Sequence, residues 1–325
     1  MNTSIQSLSE FIEHITSENV HHDHEIFWRG HSDRNYKLTP NIYRKTSKLV
    51  GKEDLILKEA EIRHPEDFST RSNSFEKLAL MQHYEFPTRL LDVTENPLVA
   101  LYFACKTNQK KTGEVVRFGI KRDSVKYYDS DLVSVLSALA CIPPARFDGL
   151  NQELQERING SQSPSLREIK KRLAQNTLQT PVATLAKYLA GKSRPQHIKD
   201  LLLEIFNQCS LVDFLVHQVK AEKPHFKKQV LPQHFHDCVA CVKSKYDSRR
   251  IAAQQGAFLL FGIKDGQKLK PAAIDEEVIE ISRITIADTS KSLLLKQLEK
   301  LGVSDDRMFP ELTYSAKAIK SKLSI

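Results

Sequence analysis

Three short stretches of the chain concentrate the side chains that could do chemistry. The first is Phe27-Trp28-Arg29-Gly30-His31. An arginine at the end of a buried strand can present a planar cation on a cleft floor, where its paired N–H donors suit phosphate or carboxylate. The glycine after it lets a ligand or another backbone come close. The alternative is a structural arginine that ties down a turn and stacks on Trp28. The second stretch, residues 81–96, is denser. His83 can act as acid, base or donor near neutral pH. Gln82 offers an amide, Arg89 can hold an anion, and Asp92 can orient Arg89 or His83. Thr88 and Thr94 can bond backbone or ligand, and Asn96 opens a helix whose N-terminus favours anions. A buried polar network locking a loop between two helices has the same composition. The third stretch places Arg249 and Arg250 ahead of Gln254-Gln255-Gly256 and an apolar run. Its amides can read a ribose, a base edge or another amide. It equally suits a polar turn leading into a buried strand.

Two further groups have the residue types of metal ligands. His234, His236, Cys238 and Cys241 include a Cys-x-x-Cys pair. Residues 237–243 read as a strand, however, which sends the two cysteines to opposite faces. His21-His22-Asp23-His24 lies in a polar stretch before a strand and reads as a solvated loop. No metal is expected.

The elements that must position these groups follow from the periodicity. Leu8, Phe11, Ile12 and Ile15 predict an opening helix, with Ser7 and Glu10 as a capping box. A strand from Glu25 ends at Arg29-Gly30. A helix spans 73–84, a loop carries Pro87, and a second helix starts at Asn96-Pro97. Residues 114–120 form a strand. From 124 to 219 the pattern is helical, with one helix starting at Thr180-Pro181 and stopping at Gly191. Residues 159–165 form an exposed linker. Strands return at 237–243 and 257–263, then at 279–286 with a break, and the tail is helical. The expected fold is α/β (α+β): a mixed central sheet with flanking helices, a helical insertion and a helical C-terminal tail. The expected divisions are an N-terminal helix (1–24), a first part of the α/β domain (25–122), the insertion (123–220), the second part (221–290) and C-terminal helices (291–325).

The composition is that of an ordinary globular protein, with 40% apolar and 27% charged residues in 325. Five scattered cysteines do not make a disulfide framework and fit reduced thiols in the cytoplasm. There is no signal-peptide pattern and no apolar run of membrane-spanning length, so no membrane partner is expected. The net charge of +8 suits an anionic partner such as nucleotide, DNA or RNA, or is a mildly basic solvated surface.

Taken together, the stretches resemble the bacterial FRG-domain family. Residues 27–30 (FWRG) look like the motif that names it, and residues 82–104 (QHYEFPTRLLDVTENPLVALYFA) like its most recognisable segment. Lys223-Pro224 with Phe226, then residues 250–262 (RIAAQQGAFLLFG), match its third block, and residues 302–312 (GVSDDRMFPEL) its closing one. Glu85-Phe86 stands where the family usually has Gly-Leu, and Val93 where it often has Trp.

Members often stand beside mobile-element and defence genes. The resemblance therefore implies an effector or toxin linked to phage defence, with a partner protein of that system. The order of motifs also resembles ADP-ribosyltransferase-type folds, where an early Arg or His before Gly grips NAD and a late strand carries a catalytic Glu. Here Gln255-Gly256 stands where that Glu is expected, a departure less damaging to chemistry like that of RNA 2′-phosphotransferases. On this reading Arg29-Gly30 and Arg89 hold a pyrophosphate, and Gln82, Thr94, Asn96, Arg250 and Gln254 help to bind substrate. His83 and Gln255 bond the nicotinamide ribose, and Asp92 orients His83 or Arg89. Cleaving the nicotinamide–ribose bond builds positive charge on the sugar, so Asp92 or Glu95 would assist. The alternative is a noncatalytic sensor of nucleotides or nucleic-acid ends. A metal-dependent nuclease would need a denser acidic cluster than Asp92 and Glu95.

Overall fold

The computed structural model describes residues 4–17, 21–44, 47, 49–175, 178–191, 193–227 and 229–323. Its strands are β1 (His24–His31), β2 (Leu90–Thr94), β3 (Gly113–Lys121), β4 (Lys126–Tyr127), β5 (Val239–Lys243), β6 (Gly256–Phe261), β7 (Ile263–Lys264), β8 (Gln267–Pro271) and β9 (Ile279–Ile286). Seven of them form one mixed sheet in the order β4-β5-β6-β2-β1-β3-β9, with β4–β5 parallel and the other pairs antiparallel. The fold is therefore mixed α/β, as the sequence predicts.

The sheet is weakest at its centre. β1 pairs with β3 along its whole length, from His24↔Lys121 to His31↔Glu114, and β2 pairs with β6 from Leu90↔Leu260 to Thr94↔Gly256. Between β1 and β2 the ladder holds a single pair, Trp28↔Thr94. The sheet is thus two halves that meet at one point.

The helices are α1 (Leu8–Ser17), α2 (Glu53–Arg63), α3 (Pro65–Ser69), α4 (Ser74–His83), α5 (Pro97–Lys106), α6 (Asp131–Ala138), α7 (Leu150–Gly160), α8 (Arg167–Gln175), α9 (Pro181–Ala190), α10 (Gln196–Asn207), α11 (Ser210–Glu222), α12 (Arg249–Ala253), α13 (Lys291–Lys300), α14 (Asp305–Met308) and α15 (Leu312–Leu323). Their starts follow local chemistry. Asn73 accepts from the Glu76 N–H ahead of α4, and Asn96 from the Leu98 N–H ahead of α5, each at 2.9 Å. Pro97 fills the first position of α5, where a missing N–H costs nothing. Thr180 caps α9, which stops at Gly191.

Three apolar clusters hold these elements. Helices α4 and α6 to α11 share one core with β5 and β6, joining Leu78 and Met81 to Leu136, Leu185, Leu215, Val242 and Leu260. The helical region is packed into the sheet and does not stand apart from it. A second cluster sets α1, α5 and α13 against Trp28, Val115 and Ile284. The third lies on the opposite side of the strands, with Phe27, Leu91, Val93, Phe118 and Leu259. Among the described residues no single helix is long and apolar enough to cross a membrane.

Some elements differ from expectation. β1 continues through Arg29 and Gly30 to His31. Leu90–Thr94 is a strand where a loop was expected, because its ladder partner β6 lies far away in sequence. The 257–263 run divides: β6 ends at Phe261, and β7 turns back as a hairpin through Asp265 and Gly266, both at positive φ. Ile279–Ile286 is unbroken, since β3 pairs with it throughout.

Candidate functional site

A cleft of about 410 Å³ opens beside the point where the two halves of the sheet part. β1 supplies Trp28, Arg29 and Gly30, and β2 supplies Asp92 to Thr94. The end of α4 supplies Gln82 and His83, and α12 with its exit supplies Arg250, Ile251 and Gln254.

Arg29 is the centre of the floor. Its Nη1 donates to the Asp92 carbonyl at 2.5 Å, and its Nε to His31 Nε2 at 3.1 Å. The guanidinium therefore takes up a strand carbonyl where the β1–β2 ladder stops. His31 is held in turn by Glu114, 2.8 Å from its Nδ1, and Glu114 accepts from Arg283 at 2.7 Å. Burial pushes the Arg29 pKa below its ordinary value; Asp92 opposes that shift and Arg44 adds to it. Two guanidiniums thus converge on one cleft, and both line it. The Asp92 carboxylate lies 3.7 Å from Arg29 Nη1 and is fixed by Gln82, whose Nε2 donates to Oδ2 at 2.9 Å. Thr88 completes the chain by donating to Gln82 Oε1 at 2.6 Å.

His83 stands at the rim with 16% of its side chain exposed. Burial, followed by the nearby Arg250, holds its imidazole below the usual histidine range. It is therefore neutral at pH 7 and competent to accept a proton. Arg250 donates to the His83 carbonyl at 3.2 Å and lies over the Phe309 ring, 4.5 Å from its centre. The Gln254 amide donates to the Met308 carbonyl at 2.9 Å, so the end of α14 and Phe309 after it pack onto this rim.

Of the residues expected from sequence, Arg29, Gly30, Gln82, His83, Asp92, Thr94, Arg250 and Gln254 line the cleft. Arg89, Asn96 and Gln255 do not. Arg89 is fully buried and forked onto Glu53, with Nε–Oε1 at 3.0 Å and Nη2–Oε2 at 2.5 Å, while its Nη1 reaches the Phe261 carbonyl. It ties α2 to the end of β6 and cannot hold a ligand phosphate. Asn96 is occupied as the cap of α5. Gln255 is exposed, at φ 45°, in the turn before β6.

Gly30 has a packing role besides. A Cβ there would lie 1.9 Å from the Ala100 carbonyl oxygen, so the glycine lets α5 cross β1. Thr94 spends its hydroxyl on the Gln254 carbonyl at 2.6 Å, joining β2 to the end of α12. Glu95 is 3.5 Å from Lys243, and Asp92 and Glu85 are the carboxylates that line the cleft.

Cys238 and Cys241 are held by burial as protonated thiols, that of Cys238 pushed up to about 11. His236 is 2.6 Å from Asp265, and the nearest ligand-like grouping there is His236, Asp237 and Asp265, without either cysteine.

Sequence reasoning missed Asn41, Arg44, Phe86 and Phe103, all of which line the cleft. The first two follow Pro40 in a segment tied to the middle motif through the Ile42 N–H and Thr88 carbonyl. Their available signal was a polar turn with a buried isoleucine shortly after Arg29.

The family model of the FRG domain matches residues 24–113. The chain carries an FRG domain. No curated protein and no solved structure matches it. The FRG match covers β1, α4, β2 and α5, and with them Arg29, Arg44, His83 and Asp92. Arg250, Gln254 and the segment after α14 lie beyond it, yet the fold brings them to the rim of the same cleft.

Proposed function

We propose that the cleft binds a nucleotide, with NAD as the candidate, and that the protein is an ADP-ribosyltransferase-like effector. The observation that carries this reading is the Arg29 guanidinium on the cleft floor, with Arg44 lining the same cleft and the Asp92 carboxylate 3.7 Å away. Two planar cations suit the oxygens of a diphosphate. Arg44 takes the part expected of Arg89. A cleft of about 410 Å³ is of ligand-binding size. Asp92, held by Gln82, supplies the negative charge that favours positive charge developing on a ribose as its N-glycosidic bond breaks. Gln254 lines the same cleft, and its side-chain carbonyl oxygen would accept from a ribose hydroxyl. The net charge of +8 suits DNA or RNA as acceptor, and a role as a toxin or effector in phage defence, with a partner protein, belongs to the same reading.

A second reading, a noncatalytic nucleotide or nucleic-acid sensor, is favoured by one observation. β6 begins at Gly256 after an exposed Gln255, so the late strand brings no carboxylate to the cleft. Incubation with NAD labelled on its adenylate half separates the two. Release of nicotinamide or transfer of label, lost in a folded Arg29→Gln variant, supports the transferase. Binding lost in that variant, with no release, supports the sensor. Neither binding nor release would refute both.

A further inference from the structure

One rim of the cleft carries a hydroxyl, an imidazole and a carboxylate in the order that activates a nucleophile. Ser248 caps α12, its Oγ accepting the Arg250 N–H at 3.2 Å. A hydroxyl that accepts there still has its own proton to give, and His83 Nδ1 lies 3.4 Å away. With the hydroxyl donating, Nδ1 accepts and Nε2 carries the hydrogen. Nε2 faces Glu311 Oε1 at 4.0 Å, and Glu311 Oε2 is buried with no hydrogen-bond partner among the described residues. The ring is also fixed from behind, since Arg250 donates to the His83 carbonyl and Tyr84 packs edge-on, 4.8 Å between centroids. Nucleophile, base and orienting carboxylate are recognised by such geometry, and the contacts are commonly loose before substrate arrives. Residues 83, 248 and 311 lie far apart in sequence and meet through packing of α4, α12 and the segment after α14. His83 and Arg250 line the cleft, and Ser248 Oγ lies 3.4 Å from the His83 ring, so the hydroxyl stands directly beside the cleft lining.

We propose that His83 and Glu311 activate Ser248 as a nucleophile, and that Ser248 accepts the ribosyl group of the nucleotide bound in the cleft, so that the protein modifies itself. This rests on the nucleotide reading above. In the step, a bond forms between Ser248 Oγ and the anomeric carbon as the bond from that carbon to nicotinamide breaks. Nicotinamide leaves as a neutral molecule with the bonding pair. The hydroxyl proton passes to His83 Nδ1, and Glu311 stabilises the resulting imidazolium.

The test incubates the full chain with NAD labelled on its adenylate half and maps the adduct by peptide mass. Label is expected on Ser248. Ser248→Asn, which keeps a capping oxygen but has no nucleophilic hydroxyl, should lose it. His83→Gln should slow labelling roughly a hundredfold, the contribution of a positioned base, and Glu311→Gln should slow it less. A fluorophosphonate probe, which reports an activated serine without any nucleotide, should label Ser248 in the wild type and not in His83→Gln. Nicotinamide release with no label on Ser248 would overturn the acceptor role and leave the nucleotide reading standing. Probe labelling without release would overturn ribosyl transfer while keeping the activated serine. Failure of both release and probe labelling would remove the relay and the transferase together.

Discussion

Arg29 and Arg89 come from the same matched segment and carry the same group, yet the fold gives them opposite surroundings. Arg89 has no exposed surface and Glu53 forks onto it; burial is the largest single influence and opposes its charge, but the charge and hydrogen bonds of Glu53, with Tyr43, together raise the pKa. Arg29 keeps 16% of its side chain exposed, faces a carboxylate at 3.7 Å, and has a second guanidinium, Arg44, close enough to lower its pKa further. A buried cation matched by one carboxylate is a structural tie. A cation incompletely matched beside another is where an anion gains most. Residue type does not separate the two roles; charge balance and access to the cleft do.

The largest effect should come from breaking the matched pair. Arg89→Met leaves Glu53 buried without its partner and should lower unfolding stability by about 3–5 kcal/mol, read from urea denaturation. Arg89→Met with Glu53→Leu should recover much of that loss, because the stranded charge is gone. A denaturation midpoint for Arg89→Met equal to that of wild type would erase the distinction between the two arginines. Gly30→Ala comes next. Its Cβ would run into the Ala100 carbonyl at 1.9 Å, and forcing α5 off β1 should cost about 1–3 kcal/mol on the same measurement.

The same contrast shows what was legible in the sequence. Local signals worked: Asn73, Asn96-Pro97 and Thr180 mark helix starts because a cap needs only residues within three positions of itself. Most of the cleft was also legible, since Arg29, His83 and Asp92 stand in dense polar motifs that a plain core has little use for. The partner of Arg89 was not, because Glu53 lies 36 residues earlier in a helix that gave no periodic signal. β2 was missed for the same reason: a five-residue strand is specified by a ladder with residues 256–260. Arg44 and Asn41 sit in a turn whose place is fixed by one long-range backbone bond to Thr88. What sequence hides is long-range pairing of charge and strand.

On the cleft side, Arg29→Gln should bind ADP-ribose roughly ten- to a hundredfold more weakly, from about 1.5–3 kcal/mol for a hydrogen bond to a charged group. Calorimetric titration measures this. Its denaturation midpoint should move far less than that of Arg89→Met. A variant that unfolds as readily as Arg89→Met would make Arg29 a second tie and close the comparison. Arg44→Gln, at a more exposed position, should weaken the same titration by about fivefold, since a solvent-exposed charge pair contributes up to about 1 kcal/mol.

The smallest expected effect concerns pH and His83. The groups facing it are Arg250, Glu311, Ser248, Tyr84 and, at longer range, Arg71. Burial and then Arg250 lower its pKa, Glu311 opposes them, and Arg71 adds to the lowering. The folded protein therefore takes up a proton on His83 less readily than the unfolded chain. Its contribution to stability is complete above about pH 6.5, the ordinary histidine value, and is lost as pH falls through the lower folded-state value. Wild type should lose more stability than His83→Gln between about pH 7.5 and pH 5. Comparing the two proteins removes the common effect of other depressed histidines such as His31 and His234. Equal losses would mean that His83 titrates as in the unfolded chain. The rim would then carry a second switchable charge beside Arg250 in mild acid, and anion binding would strengthen below pH 6.5 for a reason unconnected with Arg29.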